Sequence, residues 1–346
     1  MTRDVSEIFD CRTPPLLVAE VGLAHEGSLG LAHRFIDAVA STGADAIKFQ
    51  THIATAESSQ QEKFRVPFSY EDATRFDYWQ RTSFSQDQWL GLKQHAEQED
   101  LIFLSSPFSS EAVDMLEAIG IAAWKVGSGE LGSRRMLEKM AATGKPIIAS
   151  TGMSSWDEVM GLEQTLQRIA PKRHAILQCT TEYPTQPQSV GMNVFDEYFA
   201  TLACPVGLSD HSGTIWPSLV ASSRGARFLE VHVTLSPYLF GPDVSSSLEI
   251  HHLSQLSCGI RFVHAMMQNS VDKDLLAAHK APLKKLFGKA AMACRDLAAG
   301  EVLDDSMVSF RKPGVGLTET EFDKLLGCKL ARDIMQNTFL THEDFQ

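Results

Sequence analysis

PVGLSDHS, at residues 205–212, is an apolar run that ends in an ionisable pair, Asp210 and His211. A run that is apolar throughout, rather than alternating, is typical of a parallel strand whose two faces are both covered. If this strand is alone, the pair at its end indicates a turn. If other strands end in the same way, their ends predict a shared active site.

Seven further runs have the same apolar character and are separated by longer amphipathic segments. They are LLVAEVG (16–22), AIKFQT (46–51), LIFLSSP (101–107), AAWKVGSGE (122–130), PIIASTG (146–152), HAILQCTT (174–181) and FLEVHVT (228–234). Eight β/α units in about 250 residues predict a (β/α)8 TIM barrel. An open, doubly wound α/β sheet is the alternative, because periodicity does not show whether a sheet closes. No glycine-rich dinucleotide loop follows the first run, which favours the barrel.

The character of the chain changes towards its C-terminus. VDKDLLAAHKAPLKK (271–285) is polar and basic and indicates a linker or a connecting helix. Beyond it, CRDLAAGEVLDDSM (294–307) weakly matches ARDIMQNTFLTHED (331–344). We therefore predict a barrel over residues 1–270, a linker over 271–285 and a small pseudo-symmetric domain over 286–346.

Charge and cysteine content restrict the class of protein. The chain has 346 residues and a formal net charge of −12, which disfavours general binding to nucleic acid or to an anionic membrane. The six cysteines are scattered without CxxC spacing, a pattern typical of reduced thiols. The N-terminal stretch has no apolar core of a secretory signal, and no apolar run approaches the ~20 residues that span a bilayer. A cytoplasmic protein is expected.

Polar side chains lie at the ends of all eight predicted strands, where a TIM barrel carries its active site. They are Glu20, Lys48, Gln50, Ser105, Ser106, Lys125, Ser128, Glu130, Ser150, Thr151, Thr180, Thr181, Tyr183, Ser209, Asp210, His211, Glu230 and His232. Any one of them is most simply a cap or a solvated terminus. Burying Lys48 and Lys125, however, costs several kcal/mol unless an anion or a carboxylate compensates.

Two binding chemistries fit these residues. The lysines, the hydroxyls and the segment 127–129 could hold a ligand that carries phosphate and carboxylate, with ordinary caps and turns as the alternative. His211 and His232 end adjacent strands and could share a divalent metal that keeps open positions for substrate. Two structural histidines are the alternative.

Carboxylates could supply acid–base chemistry. Glu20, Glu130 and Asp243 could act as a base or hold hydroxyl groups, and Asp210 could orient a metal-bound histidine. The other histidines singled out are interpreted as structural or solvated: His95, His174, His251, His252, His264 and His279.

At its strand ends the chain resembles the sialic acid synthase family, the phosphoenolpyruvate-condensing enzymes that make N-acetylneuraminate and related nonulosonic acids. The matching stretches occur in family order between residues 19 and 243: AEVGLAHEGSL, KFQTH, SSPF, KVGSGE, STGM, EYPT, GLSDHS, EVHVT and GPD. RKPGVGL (311–317) is similar to part of the small antifreeze-like (SAF, β-clip) domain that follows the barrel in that family. The resemblance covers nearly the whole chain.

The resemblance implies a role for each candidate residue. His211 and His232 would bind a divalent metal, Mn²⁺ or Mg²⁺. The groups implied around phosphoenolpyruvate are Lys48, Ser106, Lys125, Ser128, Ser150 and Ser209. Those implied near the amino sugar are Glu20, Gln50, Thr181, Tyr183, Asp243 and Lys312, with Glu130 at a catalytic acid/base position.

Three residues depart from the family pattern. Thr181 stands where the sialic acid branch often has Asn, and Ala24 stands before His25 where Asn is usual. Lys312 replaces an Arg that contacts the acyl group of the sugar. Because a planar guanidinium and a point charge are not interchangeable, Lys312 leaves the identity of the sugar open.

The expected reaction condenses phosphoenolpyruvate with N-acetylmannosamine, or a related 2-acetamido sugar, and water, and releases phosphate by C–O cleavage. Glu20, Glu130, Lys48 and Lys125 are the expected catalytic groups. Alternatives are a legionaminate or pseudaminate product, a 9-phosphate product, a Schiff base on a lysine, and a carbohydrate- or ice-binding module on an inactive barrel. The resemblance also implies a domain-swapped homodimer in which Lys312 completes the neighbouring site. Residues 52–83 could line the acceptor pocket.

Overall fold

The computed structural model describes residues 3–346. The chain divides into two compact units, Met1–Asn269 and Ser270–Gln346. The first unit is built on eight parallel strands: β1 (Leu16–Gly22), β2 (Ala46–Thr51), β3 (Ile102–Pro107), β4 (Trp124–Val126), β5 (Ile147–Ser150), β6 (His174–Cys179), β7 (Val206–Asp210) and β8 (Phe228–Thr234). Neighbours in sequence pair in order, and β1 also pairs with β8, with Glu20 opposite His232. The sheet is closed, which confirms the predicted (β/α)8 barrel and excludes the open sheet.

Most helices cover the outside of the barrel, whereas the two short helices Ala54–Glu57 and Arg75–Thr82 belong to the segment that follows β2. The helices of this unit are α1 (Leu29–Ala40), α2 (Ala54–Glu57), α3 (Arg75–Thr82), α4 (Gln86–Gln98), α5 (Ser110–Ile119), α6 (Arg134–Ala142), α7 (Trp156–Ile169), α8 (Met192–Thr201), α9 (Trp216–Ser223) and α10 (Ile250–Gln268). A two-residue strand, β9 (Leu248–Glu249), pairs with β8 just before α10. Four of the helices begin at a serine whose hydroxyl accepts an N–H of the first turn, namely Ser28, Ser85, Ser109 and Ser155.

The inner face of the barrel changes from apolar to polar along each strand. Successive side chains of a strand point to opposite faces, so residues two apart share a face. Near the strand starts, one buried cluster holds Leu16, Val18, Ala46, Ile102, Leu104, Ala123, Ile148, Ala175, Leu177 and Phe228. Two residues further on the same face lie Glu20, Lys48, Ser106, Lys125, Ser150, Cys179 and Glu230. The same periodicity that fills the core therefore places the polar groups in one layer.

The N-terminal end of the barrel is closed by a short 3-10 helix, Val5–Phe9. Val5 and Ile8 are buried in the inner apolar cluster, and full burial of such a side chain contributes about 1.5–3 kcal/mol. The guanidinium of Arg227, which precedes β8, donates to the carbonyls of Ile8 at 3.1 Å and Thr13 at 2.7 Å. The polar layer therefore opens only at the other end, where the strands finish.

The second unit has its own elements and core. It contains α11 (Lys273–His279), α12 (Ala281–Phe287), β10 (Ala290–Ala293), β11 (Val308–Arg311) and α13 (Glu319–Asp323). Its buried core is Ala291, Ala293, Leu297, Leu303, Met307, Leu317, Phe322, Leu330, Ile334 and Leu340. The segment interpreted as a linker thus contains two helices.

The internal repeat of this unit is a structural symmetry. Leu297 and Ile334, which correspond in the two copies of the repeat, exchange backbone hydrogen bonds of 2.8 and 2.9 Å. Asp333 accepts the N–H of Ala299 at 2.8 Å, and its counterpart Asp296 accepts the N–H of Gln336 at 2.8 Å. This reciprocal pairing confirms the predicted pseudo-symmetry, because each copy caps the other in the same way.

Two negative features hold for the described part of the chain. Over residues 3–346, no helix combines the length and the hydropathy that crossing a membrane requires. All six cysteines are free thiols.

Candidate active site

Two buried lysines form the floor of a cavity at the C-terminal ends of the strands. Lys48 on β2 and Lys125 on β4 are each 2% exposed. Lys48 Nζ lies 2.8 Å from Glu20 Oε2 and 3.8 Å from Glu230 Oε2. Lys125 Nζ lies 3.4 Å from Glu230 Oε1. These carboxylates supply the compensation that burial of the two ammonium groups demands.

The two lysines differ in their electrostatics. Burial alone would lower the pKa of Lys48, but the carboxylates of Glu20 and Glu230 outweigh it and raise the pKa. At Lys125 burial prevails over Glu230 and lowers the pKa, and the charge of Lys48 acts in the same direction. Burial would raise the pKa of Glu230, yet the two lysines lower it, so this carboxylate is ionised at neutral pH. The two lysines of the floor are therefore balanced by two glutamates, and an incoming anion can take the place of a glutamate as the partner of a lysine.

Each floor lysine also has a serine partner on the next strand. Lys48 Nζ donates to Ser106 Oγ on β3 at 3.1 Å. Lys125 Nζ donates to Ser150 Oγ on β5 at 2.7 Å. An anion that reaches the lysines therefore also meets two hydroxyl groups.

Two further serines complete the ring of hydroxyls. Ser209 on β7 donates to Glu230 Oε1 at 3.1 Å. Ser128 accepts the backbone N–H of Gly152 at 2.9 Å. Gly152 sits so close to its neighbours that an added Cβ would lie 2.7 Å from Cys179 Sγ. Only glycine fits there, and it lets the loop after β5 approach the floor.

His211 and His232 lie side by side in the same cavity, with ring centroids 5.2 Å apart. His211 Nδ1 donates to the Thr180 carbonyl at 2.9 Å, which leaves Nε2 as an acceptor that faces the Tyr183 hydroxyl at 3.3 Å. Burial lowers the pKa of His211 to about 3, and the charge of His232 acts in the same direction. A neutral imidazole oriented by a carbonyl is the form in which histidine binds a metal, so this pair fits a divalent cation.

Asp210 does not contact the ring of His211, although its position in the sequence suggested that it could orient a metal-bound histidine. Its carboxylate accepts the N–H and the hydroxyl of Ser212, both at 2.9 Å. Burial raises the pKa of Asp210 to about 6. Asp210 closes the turn after β7, and the carbonyl of Thr180, not this carboxylate, orients the ring of His211.

Two carboxylates of the cavity differ in their hydrogen-bond and ion-pair partners. Glu20 is ion-paired with a floor lysine and accepts Gln50 Nε2 at 2.9 Å. Glu130 is half-buried, and its Oε2 accepts the hydroxyl of Ser133 at 3.1 Å. Burial raises the pKa of Glu130, and the negative charge of Glu57 adds to this effect. The raised pKa makes Glu130 a candidate for proton transfer.

The segment between residues 52 and 79 forms one wall of the cavity. Its Arg65 lies 3.0 Å from Asp243 Oδ1 and stacks on Tyr183, 4.1 Å from the ring centroid. Because Tyr183 also stacks on His211 at 4.3 Å, its ring connects this wall to the histidine pair.

The same wall contains a histidine between two aromatic rings. His52 stacks on Trp79 at 3.8 Å and on Phe108 at 4.2 Å. Its Nδ1 donates to Glu57 Oε1 at 2.5 Å, and its Nε2 lies 3.2 Å from Gln50 Oε1. These contacts link the wall to Gln50 at the end of β2.

All of the predicted site residues in the barrel line this one cavity of 660 Å³: Glu20, Lys48, Gln50, Ser106, Lys125, Ser128, Glu130, Ser150, Thr181, Tyr183, Ser209, His211, His232 and Asp243. Lys312 belongs to the second unit, where it is exposed and its Nζ lies 5.8 Å from the ring of Phe287.

Comparison with known proteins agrees with this architecture. The model of the NeuB family matches residues 35–272, and that of the SAF domain matches residues 288–346. The chain belongs to the NeuB family.

Named relatives of this NeuB-family chain are synthases. It is 31% identical to the N,N'-diacetyllegionaminic acid synthase of Campylobacter jejuni subsp. jejuni serotype O:2, over 90% of this chain and 94% of the relative. It is 33% identical to the N-acetylneuraminate-9-phosphate synthase of Homo sapiens, over 86% of this chain and 83% of the relative. A crystal structure of N-acetylneuraminic acid synthetase from Leptospira borgpetersenii, in complex with citrate, aligns with a TM-score of 0.69 at 25% identity, covering 79% of this chain and 94% of that one.

Several cavity residues were not among the predicted site residues of this NeuB-family chain. Glu230 stands at the end of the eighth predicted strand but is given no part in the predicted site. Cys179 is not among the predicted polar strand ends, although it lies on the inner face at the same level as the floor lysines and the period-two pattern could have found it. Arg65 comes from an irregular segment, and no periodicity in the sequence marks which of its residues reaches the cavity.

Two other groups of side chains in the described chain could hold a metal ion. They are Glu163, His174 and Cys204, and Glu249, His251 and His252. In the first group His174 Nε2 hydrogen-bonds Glu163 Oε2 at 2.9 Å, and its Nδ1 faces the Ala170 carbonyl at 3.1 Å. Both ring nitrogens thus have protein partners, which suits the structural role expected for His174.

Proposed function

We propose that this NeuB-family protein condenses phosphoenolpyruvate with an open-chain 2-acetamido sugar, such as N-acetylmannosamine, and water. The products are a nonulosonic acid, such as N-acetylneuraminate, and inorganic phosphate. The observation that carries the proposal is the floor, where two buried lysines and a ring of serine hydroxyls face one cavity. The similarity to proteins named as legionaminate and N-acetylneuraminate-9-phosphate synthases supports it.

Phosphoenolpyruvate carries a phosphate and a carboxylate, and the floor offers a cation and a hydroxyl for each. Lys48 with Ser106 and Lys125 with Ser150 form two such pairs. The ligand would replace part of the pairing that Glu20 and Glu230 now give the lysines. Because the lysines are already fixed in place, binding costs little reorganisation, and the site acts by positioning and electrostatics.

His211 and His232 are the residues that would hold a divalent cation, Mn²⁺ or Mg²⁺. Such an ion, when bound, polarises the aldehyde oxygen of the acceptor. The Thr180 carbonyl keeps the Nε2 of His211 available by binding its Nδ1–H. Tyr183, stacked on His211, would position the acceptor beside the histidines.

The reaction balances without a redox partner. C3 of phosphoenolpyruvate forms a bond to the aldehyde carbon, the aldehyde oxygen gains a proton from solvent, and positive charge develops at C2. Water adds at C2 and gives up a proton to Glu130, which returns it to solvent; a raised pKa is an advantage for this base. The tetrahedral intermediate then expels phosphate by breaking the bond between C2 and the bridging oxygen. The departing phosphate takes up the proton of the C2 hydroxyl, and C2 becomes the ketone carbon of the product.

We also propose a domain-swapped homodimer in the cytoplasm, where free thiols such as those of this chain persist. Helices α11 and α12 bury no residue, and they expose Leu275, Leu276, Leu283, Leu286 and Phe287. An exposed apolar set of this kind is typical of a protein interface. In the dimer Lys312 would reach the acceptor site of the partner.

Sugar-dependent phosphate release tests the proposal. Phosphoenolpyruvate, N-acetylmannosamine and Mn²⁺ should give inorganic phosphate and an equal amount of a nine-carbon acid detected by mass spectrometry, and EDTA should abolish both. Phosphate release that does not need the sugar, or no release with any 2-acetamido sugar, would contradict it.

A further inference from the structure

The imidazole of His52, the residue that follows β2, is packed between two aromatic rings. It stacks on Trp79, with centroids 3.8 Å apart and planes 5° apart, and on Phe108, with centroids 4.2 Å apart and planes 14° apart. His52 is 6% exposed. A ring packed on both faces stays in one plane. Each of its two nitrogens therefore points in a fixed direction, and their partners indicate what the ring does.

The two nitrogens of His52 connect the cavity wall to the floor. Nδ1 donates to Glu57 Oε1 at 2.5 Å, and Nε2 lies 3.2 Å from Gln50 Oε1. On its other side, the Gln50 amide places Nε2 2.9 Å from Glu20 Oε1. Glu20 is ion-paired with Lys48, and an ionised carboxylate can only accept hydrogen bonds. The amide nitrogen of Gln50 must therefore face Glu20, and its oxygen must face a proton on His52 Nε2.

This chain of contacts fixes what Gln50 offers to a ligand. The amide nitrogen has two hydrogens, and Glu20 accepts one of them. Over residues 3–346 the second hydrogen has no acceptor, and Gln50 lines the cavity. If the amide turned over, its oxygen would lie against the Glu20 carboxylate and its nitrogen against a donor. His52 and Glu20 together therefore hold the orientation in which an amide N–H is available to a ligand.

Glu57 keeps the imidazole itself from turning over. A half-turn of the ring within its plane would place carbon atoms opposite both Glu57 and Gln50. The side chain of Glu57 is 7% exposed, and its Oε2 is already buried without a hydrogen-bond partner. Loss of the donor at Oε1 would leave a second buried oxygen unpaired, which is unfavourable. Two aromatic rings thus fix the plane of His52, and one carboxylate fixes its direction within that plane.

We propose that His52 is a positioning residue of the reaction and that it acts through Gln50, whose amide it holds so that an N–H is presented to the acceptor sugar. The inference rests on the proposed function for the presence of a sugar beside Gln50. The hydrogen bonds of the His52 ring go to Glu57 and Gln50 and not to the floor lysines or serines. Loss of the ring should therefore weaken the acceptor and leave phosphoenolpyruvate nearly unaffected.

Two amide substitutions separate positioning from packing. His52→Gln and His52→Asn both remove the stacked ring and lose the same aromatic contacts, so their melting temperatures should be similar. A glutamine amide reaches the place of Nε2 and can donate to Gln50, whereas an asparagine amide reaches only the place of Nδ1 and donates to Glu57. The comparison between the two variants therefore isolates the contact with Gln50.

Binding of N-acetylmannosaminitol, an acceptor analogue without the aldehyde, is measured by calorimetry with phosphoenolpyruvate and Mn²⁺ present. We expect His52→Asn to weaken this binding by about tenfold or more and His52→Gln by about threefold or less. The affinity for phosphoenolpyruvate alone should change by about twofold or less in both variants.

A double variant tests whether His52 acts through Gln50. Gln50→Ala removes the amide, so the addition of His52→Asn should weaken the binding of the analogue little further. Independent roles would instead multiply the two effects.

The outcomes separate this inference from the proposed function. Equal weakening in His52→Asn and His52→Gln, multiplied effects in the double variant, or no binding of the analogue by the parent protein would overturn the inference. Absence of sugar-dependent phosphate release from the parent protein would overturn the proposed function, while the ratio between the two His52 variants would still decide the part of His52.

Discussion

A lysine inside a β-barrel is stable only where an opposite charge is near, and Lys125 has Glu230 at 3.4 Å. The same carboxylate lies 3.8 Å from Lys48 and accepts a hydrogen bond from Ser209. Glu230 is thus the shared counter-ion of the floor. Its removal or the removal of one lysine leaves a buried charge without its partner.

We predict that Lys125→Met destabilises the protein by about 3–5 kcal/mol, because Glu230 loses its nearer cation. Activity should fall by about a hundredfold or more, since an electrostatic contact to the substrate is lost. The double variant Lys125→Met/Glu230→Gln should regain most of the free energy of unfolding but not the activity. Chemical denaturation and phosphate release measure the two effects, and additive losses of stability would show that the pair is not coupled.

We predict that the protonation of Glu130 limits the activity on the acidic side of the pH profile. A base works when deprotonated, so its raised pKa places the acidic limb of kcat/KM at a higher pH than for an ordinary glutamate. Glu57→Gln removes a negative charge that helps to raise this pKa, and the acidic limb should move to lower pH. Phosphoenolpyruvate also titrates, but it contributes equally to the profiles of the parent protein and of Glu57→Gln, so it does not affect the difference between them. An unmoved limb in Glu57→Gln would exclude Glu130 as the titrating group.

At the scale of elements, the loop after β5 is held against the floor by the absence of a side chain at Gly152. A Cβ there would meet Cys179 Sγ at 2.7 Å and the Thr181 hydroxyl even closer. Gly152→Ala should therefore push this loop away from Ser128, which it contacts through the N–H of Gly152.

We expect Gly152→Ala to lower kcat/KM for phosphoenolpyruvate by roughly tenfold or more, because displacements of about 1 Å at a positioned site have effects of this size. Gly161→Ala is the matched control. Gly161 is exposed on α7 with open space around it, and alanine there should stabilise the helix by about 1 kcal/mol. Steady-state kinetics of both variants check the prediction, and equal activity would contradict the account of the loop.

The elements were largely predictable from the sequence, and the site only in part. Eight apolar runs gave the barrel because each buried parallel strand needs apolar residues on both faces. The floor lysines, serines and histidines could be found because they end those runs. Residues 52–79 have no such regularity, so which of them reaches the cavity depends on tertiary contacts such as that of Arg65 with Tyr183. Whether Asp210 orients a histidine could not be decided from its position beside His211, because the ring of His211 is oriented by the carbonyl of Thr180, which follows a different strand.

At the scale of the whole molecule, the second unit is a small pseudo-symmetric domain whose two copies cap each other through Asp296 and Asp333. A unit this small has a limited core. The exposed leucines of α11 and α12 present apolar surface that a partner subunit could cover.

We predict that Leu275→Glu together with Leu286→Glu prevents formation of the proposed dimer and leaves monomers. The charges would be buried in the interface that we propose for these helices. Leu90→Glu, at an exposed leucine of α4, is the control and should leave the assembly unchanged. Light scattering coupled to gel filtration measures the mass. A monomeric parent protein, or a barrel truncated at about residue 280 that keeps full activity, would contradict the domain swap.

Condensation with C–O cleavage at the floor of the barrel can be followed with phosphoenolpyruvate that carries oxygen-18 in its bridging position. Reaction with N-acetylmannosamine and Mn²⁺ is followed by phosphorus NMR, in which the label shifts the resonance of inorganic phosphate. We predict that the label appears in the phosphate released. Label retained in the nine-carbon acid would contradict it.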